Sequence, residues 1–238
     1  MIGIGSFFFK YRNVVFIFLY LTLFLPSPAI ADPVSEGWIT VAVGLLISLC
    51  GQLVRGATIG MSYIIRGGRD GRVYAEGLVT EGIFSHARNP LYIGNILMLL
   101  GMGILANSLL FVLVVMPFFC FIYQSIVLAE EAFLRNKFGE NYDLYCKDTN
   151  RWMLRLQGIG KTFRSMRFNW KRWIVKEYNT LFIWLTAMVL LFFFRYPAFV
   201  PSGEHEKHML LMVMVGCLSI GYVFVRWNKK RGPWRDVN

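Results

Sequence analysis

The chain has 238 residues, 56% of them hydrophobic and only 16% charged, with a mean hydropathy of +0.50. That balance excludes a disordered chain, a collagen-like repeat and a disulfide scaffold, and it departs from soluble domains, in which about a quarter of residues are charged. A formal net charge of +11 would suggest nucleic acid in a soluble protein. Here the apolar residues come in long blocks, so a membrane is the first partner to consider.

A helix needs roughly 20 mostly apolar residues to cross a hydrocarbon core of about 30 Å. Residues 14–25 form the first apolar stretch, broken only by Thr22. Residues 38–54 form the second and run into Gly56 and Gly60. Residues 91–106 and 109–128 form the third and fourth, with only Asn107-Ser108 between them. Residues 181–194 and 209–225 complete the set. None shows the polar face that a soluble helix needs. The expected fold is all-α: a polytopic transmembrane helical bundle of about six spans, with a tight hairpin between spans three and four and amphipathic helices on the cytoplasmic side. Three stretches organise it: 1–72 with spans one and two, 73–157 with the hairpin, and 158–238 with a basic linker, two further spans and a tail.

Charge placement orients the bundle. Six spans with a cytoplasmic N-terminus put all 25 basic residues on one side except Arg195 and Lys207. This positive-inside bias predicts both termini in the cytoplasm, and short loops with a signal-like start suggest a bacterial inner membrane. The basic charge then needs no nucleic acid, because it lies beside anionic lipid heads. The first stretch has a rival reading. Lys10 and Arg12 precede an apolar run, and Ala29-Ile30-Ala31 before Asp32 resembles a signal-peptidase site; cleavage would leave five spans in the same orientation. The cysteines Cys50, Cys120, Cys146 and Cys217 are scattered and form no disulfide or zinc pattern.

The short Asn107-Ser108 connection forces spans three and four into an antiparallel hairpin. Residues before span three and after span four therefore become neighbours, and the polar, non-repetitive residues gather at these two places. The first runs from Glu76 to Gly94. Pro90 suits the first turn of a helix, biases Asn89 towards extended geometry, and opens a helix start whose unpaired amides can hold a carboxylate. The second runs from Glu130 to Tyr145. Its adjacent carboxylates Glu130 and Glu131 point about 100° apart on a helix, so only one can face a given pocket. Phe133, Leu134, Phe138, Tyr142 and Tyr145 recur near helical spacing, as in an interfacial helix.

In order, these residues are Leu78-Val79-Thr80, Gly82 and Phe84; then Arg88-Asn89-Pro90, Tyr92 and Gly94; then, past the hairpin, Glu130-Glu131, Leu134, Phe138-Gly139, Tyr142 and Tyr145. Together they resemble the isoprenylcysteine carboxyl methyltransferase and phospholipid methyltransferase superfamily of integral membrane enzymes. The resemblance covers about a third of the chain. It implies S-adenosyl-L-methionine as cofactor, entering from the cytoplasm, and a lipid-like or hydrophobic acceptor entering from the bilayer. It carries the cofactor contacts to Glu76, Gly77, Leu78, Val79, Phe84, Asn89, Pro90, Leu91, Tyr92 and Glu130, with His86 and Arg88 in the same strip. Tyr142, Tyr145 and Arg151 would close a lid. Glu130, Arg88 and Asn89 are the expected catalytic set, and no metal is implied. Asn89 stands where His is commoner. Ile126 stands where the isoprenylcysteine branch has an Arg that contacts substrate, which weakens a prenylcysteine carboxylate as acceptor.

Other readings stay open: phospholipid N-methylation, an NADPH-dependent reductase of the sterol-reductase kind, or a scaffold without catalysis. Gly158-Ile159-Gly160-Lys161-Thr162 resembles the end of a phosphate loop, but Arg155 occupies the position of its first Gly. Glu204, His205, Glu206 and His208 read as a solvated outer loop. Gly56 and Gly60 read either as a helix-packing pair or as chance spacing. Residues 161–176 alternate basic and aromatic side chains, which predicts one helix lying on the inner leaflet.

Overall fold

The structure, a computed structural model, describes residues 1–62, 73–201 and 203–235. Arg66, Arg69 and Arg72, counted above among the cytoplasmic charges, lie outside the described residues. The chain forms α1 (Ile2–Leu21, extended by a 3₁₀ turn Thr22–Phe24), α2 (Gly37–Met61), α3 (Pro90–Leu105), α4 (Met116–Phe138, entered through a π-helical turn Phe111–Val115), α5 (Glu140–Asp148), α6 (Ile159–Ser165), α7 (Trp170–Arg195) and α8 (Glu204–Arg231). Among the described residues there is no strand. Five helices are long and apolar enough to cross a membrane: α1 with its extension, α2, α4 with its π turn, α7 and α8. The third expected span, α3, is apolar but has only 16 residues. That is about 24 Å of helix, a few Å short of a hydrocarbon core.

The hairpin turn explains where α3 stops. Asn107 adopts φ 50°, the left-handed region that Asn tolerates better than most residues. Its side-chain oxygen accepts from the amides of Ile30 and Ala31 at 2.8 and 3.0 Å, and its amide donates to the Ala31 carbonyl at 2.8 Å. The Ala29-Ile30-Ala31 segment is thereby held against the tip of the α3–α4 turn.

Glycines set the closest helix approaches. A Cβ on Gly51 would stand 2.6 Å from the Gly94 carbonyl oxygen, and one on Gly101 would stand 2.5 Å from that of Gly44. α2 and α3 thus meet backbone to backbone, as small residues allow in membranes. Gly56 and Gly60 serve a different contact, facing Trp173 and Phe168. On the other flank α1 packs along α4. A Cβ on Gly5 would meet the Ser125 carbonyl oxygen at 1.9 Å, and Phe9 is buried with Ile122 and Ile126. This packing starts α1 at Ile2, so Lys10 and Arg12 lie inside the helix and not ahead of it.

Residues 161–176 do not form one helix. α6 ends at Ser165, and α7 starts at Trp170 with Asn169 as its cap, the Asn169 side chain accepting from the Arg172 amide at 2.9 Å. α7 returns through the bundle between α2 and α8. Trp184 donates to the Ser48 hydroxyl at 2.5 Å, and the Tyr196 hydroxyl donates to the Leu105 carbonyl at 2.8 Å. Phe111, Phe119, Leu191 and Tyr196 form the fully buried centre of the core.

Candidate functional site

At the end of the bundle where α3 begins and α4 ends, a cavity of about 870 Å³ opens among the helices. That lies in the upper part of the roughly 300–1,000 Å³ range of ligand pockets. Its walls come from α1, α2, the segment before α3, α3, α4, α5 and α7. Glu76, Gly77, Leu78, Val79, Phe84, Arg88, Asn89, Pro90, Leu91, Tyr92, Glu130, Tyr142 and Tyr145 all line it.

One of the contacts by which the two strips meet joins α3 to α4 directly: the Tyr92 hydroxyl donates to Glu130 Oε1 at 2.8 Å. Tyr92 projects from the first turn of α3, and Glu130 from the last part of α4, so the hairpin alone brings them together. Glu131, one residue on, turns to other partners. Its carboxylate accepts from Arg151 Nε and Nη2 at 2.9 and 2.7 Å and lies 3.3 Å from Arg88 Nη1. The sequence assigned Glu131 no role, although a buried second carboxylate must find cations somewhere.

Arg88 is partly committed. Its Nη1 donates to Cys146 Sγ at 2.7 Å, and its backbone amide to the Asn150 carbonyl at 2.8 Å. Arg88 Nε is buried with no hydrogen-bond partner among the described residues. The Asn89 side chain does not cap α3; its amide donates to the Arg151 carbonyl at 3.3 Å. The Tyr145 hydroxyl donates to the Phe84 carbonyl at 2.7 Å, which ties α5 to the 3₁₀ turn Gly82–Ser85. Burial pushes both phenols up: Tyr142, helped by the charge of Glu131, and Tyr145, with Arg88 pulling the other way. Both stay neutral hydroxyls at physiological pH. Lys137 donates to the Ala75 carbonyl and fixes the segment leading to Glu76.

His86 is placed elsewhere. It does not line the cavity. Its Nδ1 lies 2.6 Å from the Arg155 carbonyl and its Nε2 lies 2.8 Å from the Thr162 hydroxyl, so Nδ1 donates and, in the neutral ring, Nε2 accepts. The ring joins the 82–86 turn to α6. Arg12, Arg55, Asn95, Tyr123 and Lys176, which sequence reasoning did not assign, also line the cavity. Arg55 donates to both carboxylate oxygens of Glu177 at 3.0 and 2.7 Å and to Asn95 Oδ1. Polar and ionisable residues interrupting the apolar runs were the signal for these positions.

Fold and cavity define a class: a polytopic helical membrane protein with a polar chamber at one end of its bundle. The comparisons refine it. The model of the phospholipid methyltransferase family matches residues 39–141. A protein-S-isoprenylcysteine O-methyltransferase of Schizosaccharomyces pombe is 38% identical over 74 residues, which are 29% of this chain and 30% of that protein. The cobalt-zinc-cadmium resistance protein CzcN of Cupriavidus metallidurans is 35% identical over 79 residues, 33% of this chain and 36% of that protein. The chain thus spans about a third of the length of these curated relatives. No solved structure matches it. Residues 39–141 are thus similar to the integral membrane methyltransferases.

Proposed function

We propose that the chain is an S-adenosylmethionine-dependent methyltransferase acting on a lipid-like or hydrophobic acceptor. The observation that carries this reading is the Tyr92–Glu130 hydrogen bond, which closes the 76–92 strip and the end of α4 around one chamber. The family description and the isoprenylcysteine methyltransferase relative support the same reaction class.

The residues present fit the cofactor. Arg88 Nε is a buried donor without a partner among the described residues, suited to a carboxylate at the start of α3. When bound, S-adenosylmethionine supplies a methyl group activated by a sulfonium charge. Glu130 offers a carboxylate to offset that charge. At about 4 Å and an effective dielectric near 20, such a pair is worth roughly 4 kcal/mol before desolvation. Tyr92 fixes the Glu130 carboxylate, and Phe84 and Tyr92 present aromatic faces to an adenine. Glu131 holds Arg88 and Arg151 in place, and Asn89 anchors the start of α3 to the 150–151 segment. No nucleophile of the protein is needed. Alignment of donor and acceptor, with water excluded by Tyr142 and Tyr145, supplies the acceleration.

On this reading stretches 1–72, 73–157 and 158–238 act as one unit, since all three line the chamber. The basic flank lies in the cytoplasm with both termini, and the membrane is a bacterial inner membrane. Asn13 of α1 and Asn179 of α7 are both exposed and both border the chamber, which gives an acceptor a way in from the bilayer between those helices.

Titrating the purified chain with S-adenosylhomocysteine tests the reading. Wild type binds and Glu130→Ala loses at least tenfold in affinity. Binding of NADPH with none of S-adenosylhomocysteine overturns the proposal in favour of a reductase. Incubation with radiolabelled donor and total lipid extract, followed by base, then sorts the acceptor. Volatile methanol marks an ester; a base-stable product marks an N-methyl or ether link.

A further inference from the structure

Between α5 and α7 the chain carries a surface that takes no part in the chamber. From Met153 to Trp173 it has six basic residues and no Asp or Glu. Arg155, Lys161, Arg164, Arg167 and Lys171 are exposed, and among the described residues none of them is in an ion pair. Met153, Leu156, Phe163 and Trp170 stand out between them, 75%, 70%, 46% and 64% exposed. A run of cations alone would be a solvated face. Four large apolar side chains interleaved with it mark a contact surface instead. The surface is also held where helices enter the bilayer. It runs into α7, a spanning helix, at Trp170, and Arg172 donates to the Ile59 and Gly60 carbonyls at the end of α2, at 2.8 and 2.6 Å. Cations beside apolar side chains at that level match anionic lipid head groups over acyl chains. A nucleic-acid backbone would engage the cations but leave Met153 and Leu156 in water.

The same segment is strapped to one wall of the chamber. The Arg88 amide donates to the Asn150 carbonyl at 2.8 Å, and the Arg155 amide donates to the His86 carbonyl at 3.0 Å. The His86 ring, only 3% exposed, bridges the Arg155 carbonyl and the Thr162 hydroxyl of α6 at 2.6 and 2.8 Å. His86 therefore joins α6 to the 82–89 strip, whose Phe84, Arg88 and Asn89 line the chamber. α6 has seven residues and no buried side chain. A helix of that length is marginal by itself and depends on what it packs against. One side of it is fastened by His86. A lipid surface under Lys161, Phe163 and Arg164 would fasten the other.

We propose that residues 153–171 dock on the anionic phospholipid head groups of the membrane the chain spans, and that His86 passes this docking to the 82–89 strip. Anionic lipid then orders α6, and through His86 it holds Phe84, Arg88 and Asn89 in place around the chamber. His86 is in this sense a positioning residue. The consequence for cofactor affinity rests on the methyltransferase reading, whereas the docking and its relay do not.

The test follows amide hydrogen exchange of the full chain in nanodiscs of phosphatidylcholine alone or with one third phosphatidylglycerol. A basic residue near an anionic surface is worth about fivefold in an equilibrium constant. Phosphatidylglycerol is therefore expected to slow exchange across residues 159–170 by about tenfold or more, and to slow the 82–89 strip with it. The triple variant Lys161→Gln, Arg164→Gln, Arg167→Gln, altered only at exposed side chains, should lose both effects. His86→Leu should keep the lipid effect in 159–170 and lose it in 82–89. Unchanged exchange in α2, α3 and α4 shows that each variant is folded. Equal exchange of wild type in both lipids, or a triple variant that responds as wild type does, overturns the docking. Protection of 82–89 by phosphatidylglycerol in His86→Leu overturns the relay. S-adenosylhomocysteine affinity that rises in phosphatidylglycerol discs supports the link to the cofactor. Absence of S-adenosylhomocysteine binding with the exchange pattern intact removes the methyl-transfer reading and leaves the docking standing.

Discussion

Two neighbouring carboxylates at the end of α4 show how much one helical step changes a residue's work. Glu130 points into the chamber and accepts from a single hydroxyl, whereas Glu131 is buried between two guanidinium groups. Removing one member of a buried ionic cluster strands the other charges and costs about 3–5 kcal/mol. Arg151 keeps 34% of its side-chain exposure, so the lower end applies. Glu131→Ala is therefore expected to destabilise the chain by about 3 kcal/mol, read as a lower thermal midpoint in detergent. Glu130→Ala is expected to leave the midpoint nearly unchanged and to weaken S-adenosylhomocysteine binding. Tyr92→Phe removes one hydrogen bond to a charged group, worth about 1.5–3 kcal/mol, and is expected both to lower the midpoint and to weaken S-adenosylhomocysteine binding, because Glu130 loses the hydroxyl that orients it. Equal loss of stability in both glutamate variants would contradict this division.

Among the elements, the hairpin was the most legible feature, because a two-residue polar break between apolar runs leaves the chain no other path. The strips Glu76 to Tyr92 and Glu130 to Tyr145 were legible as an ordered pattern, and the structure puts every cofactor-contact and catalytic residue expected in them on one chamber except His86, while Thr80, Gly82, Phe138 and Gly139 of the same pattern lie off it. What the sequence concealed has physical causes. Lys10 and Arg12 looked like the flank of a span, since a guanidinium inside an apolar helix is justified only by a cavity that the linear pattern does not show. Residues 161–176 looked like one basic helix, because the break depends on Asn169 finding the Arg172 amide. The α2–α3 contact was missed altogether. Gly44, Gly51, Gly94 and Gly101 are spaced by seven, two turns on each helix, and they mesh only when both helices are seen together. Overpacking of this kind costs about 1–3 kcal/mol. Gly101→Ala, whose new methyl would sit 2.5 Å from the Gly44 carbonyl oxygen, is expected to lower the thermal midpoint, while Ala at Gly216 of α8, with open space around it, should not. Asn107→Ala breaks three hydrogen bonds to residues 30 and 31 and strains the turn, with an expected loss of about 2–3 kcal/mol.

At the scale of the whole molecule, the stretch beyond residue 158 has no counterpart in the strips that carry the family resemblance, yet it is bound into the chamber. The link is the Arg55–Glu177 pair between α2 and α7, with side-chain exposures of 6% and 0%. If α7 and α8 only anchored the chain, this buried ionic contact would be an expensive way to do so. Its position beside Asn95, Tyr123 and Lys176 instead makes α7 a wall of the cavity. A buried pair behaves asymmetrically on mutation. Removing one partner leaves a bare charge and costs about 3–5 kcal/mol, whereas replacing both by apolar residues of similar size is close to neutral. Glu177→Met is therefore expected to destabilise by about 3 kcal/mol or more. The double variant Arg55→Met with Glu177→Met should recover most of that, measured as thermal midpoint and protease resistance in the same detergent. The recovered stability should come without recovered ligand binding, because Asn95 has lost the guanidinium that orients it and the floor of the chamber has lost its polarity. A double variant as unstable as Glu177→Met would show that α7 is held by its apolar packing alone, and one that binds ligands as wild type does would place the working chamber wholly within α1 to α5.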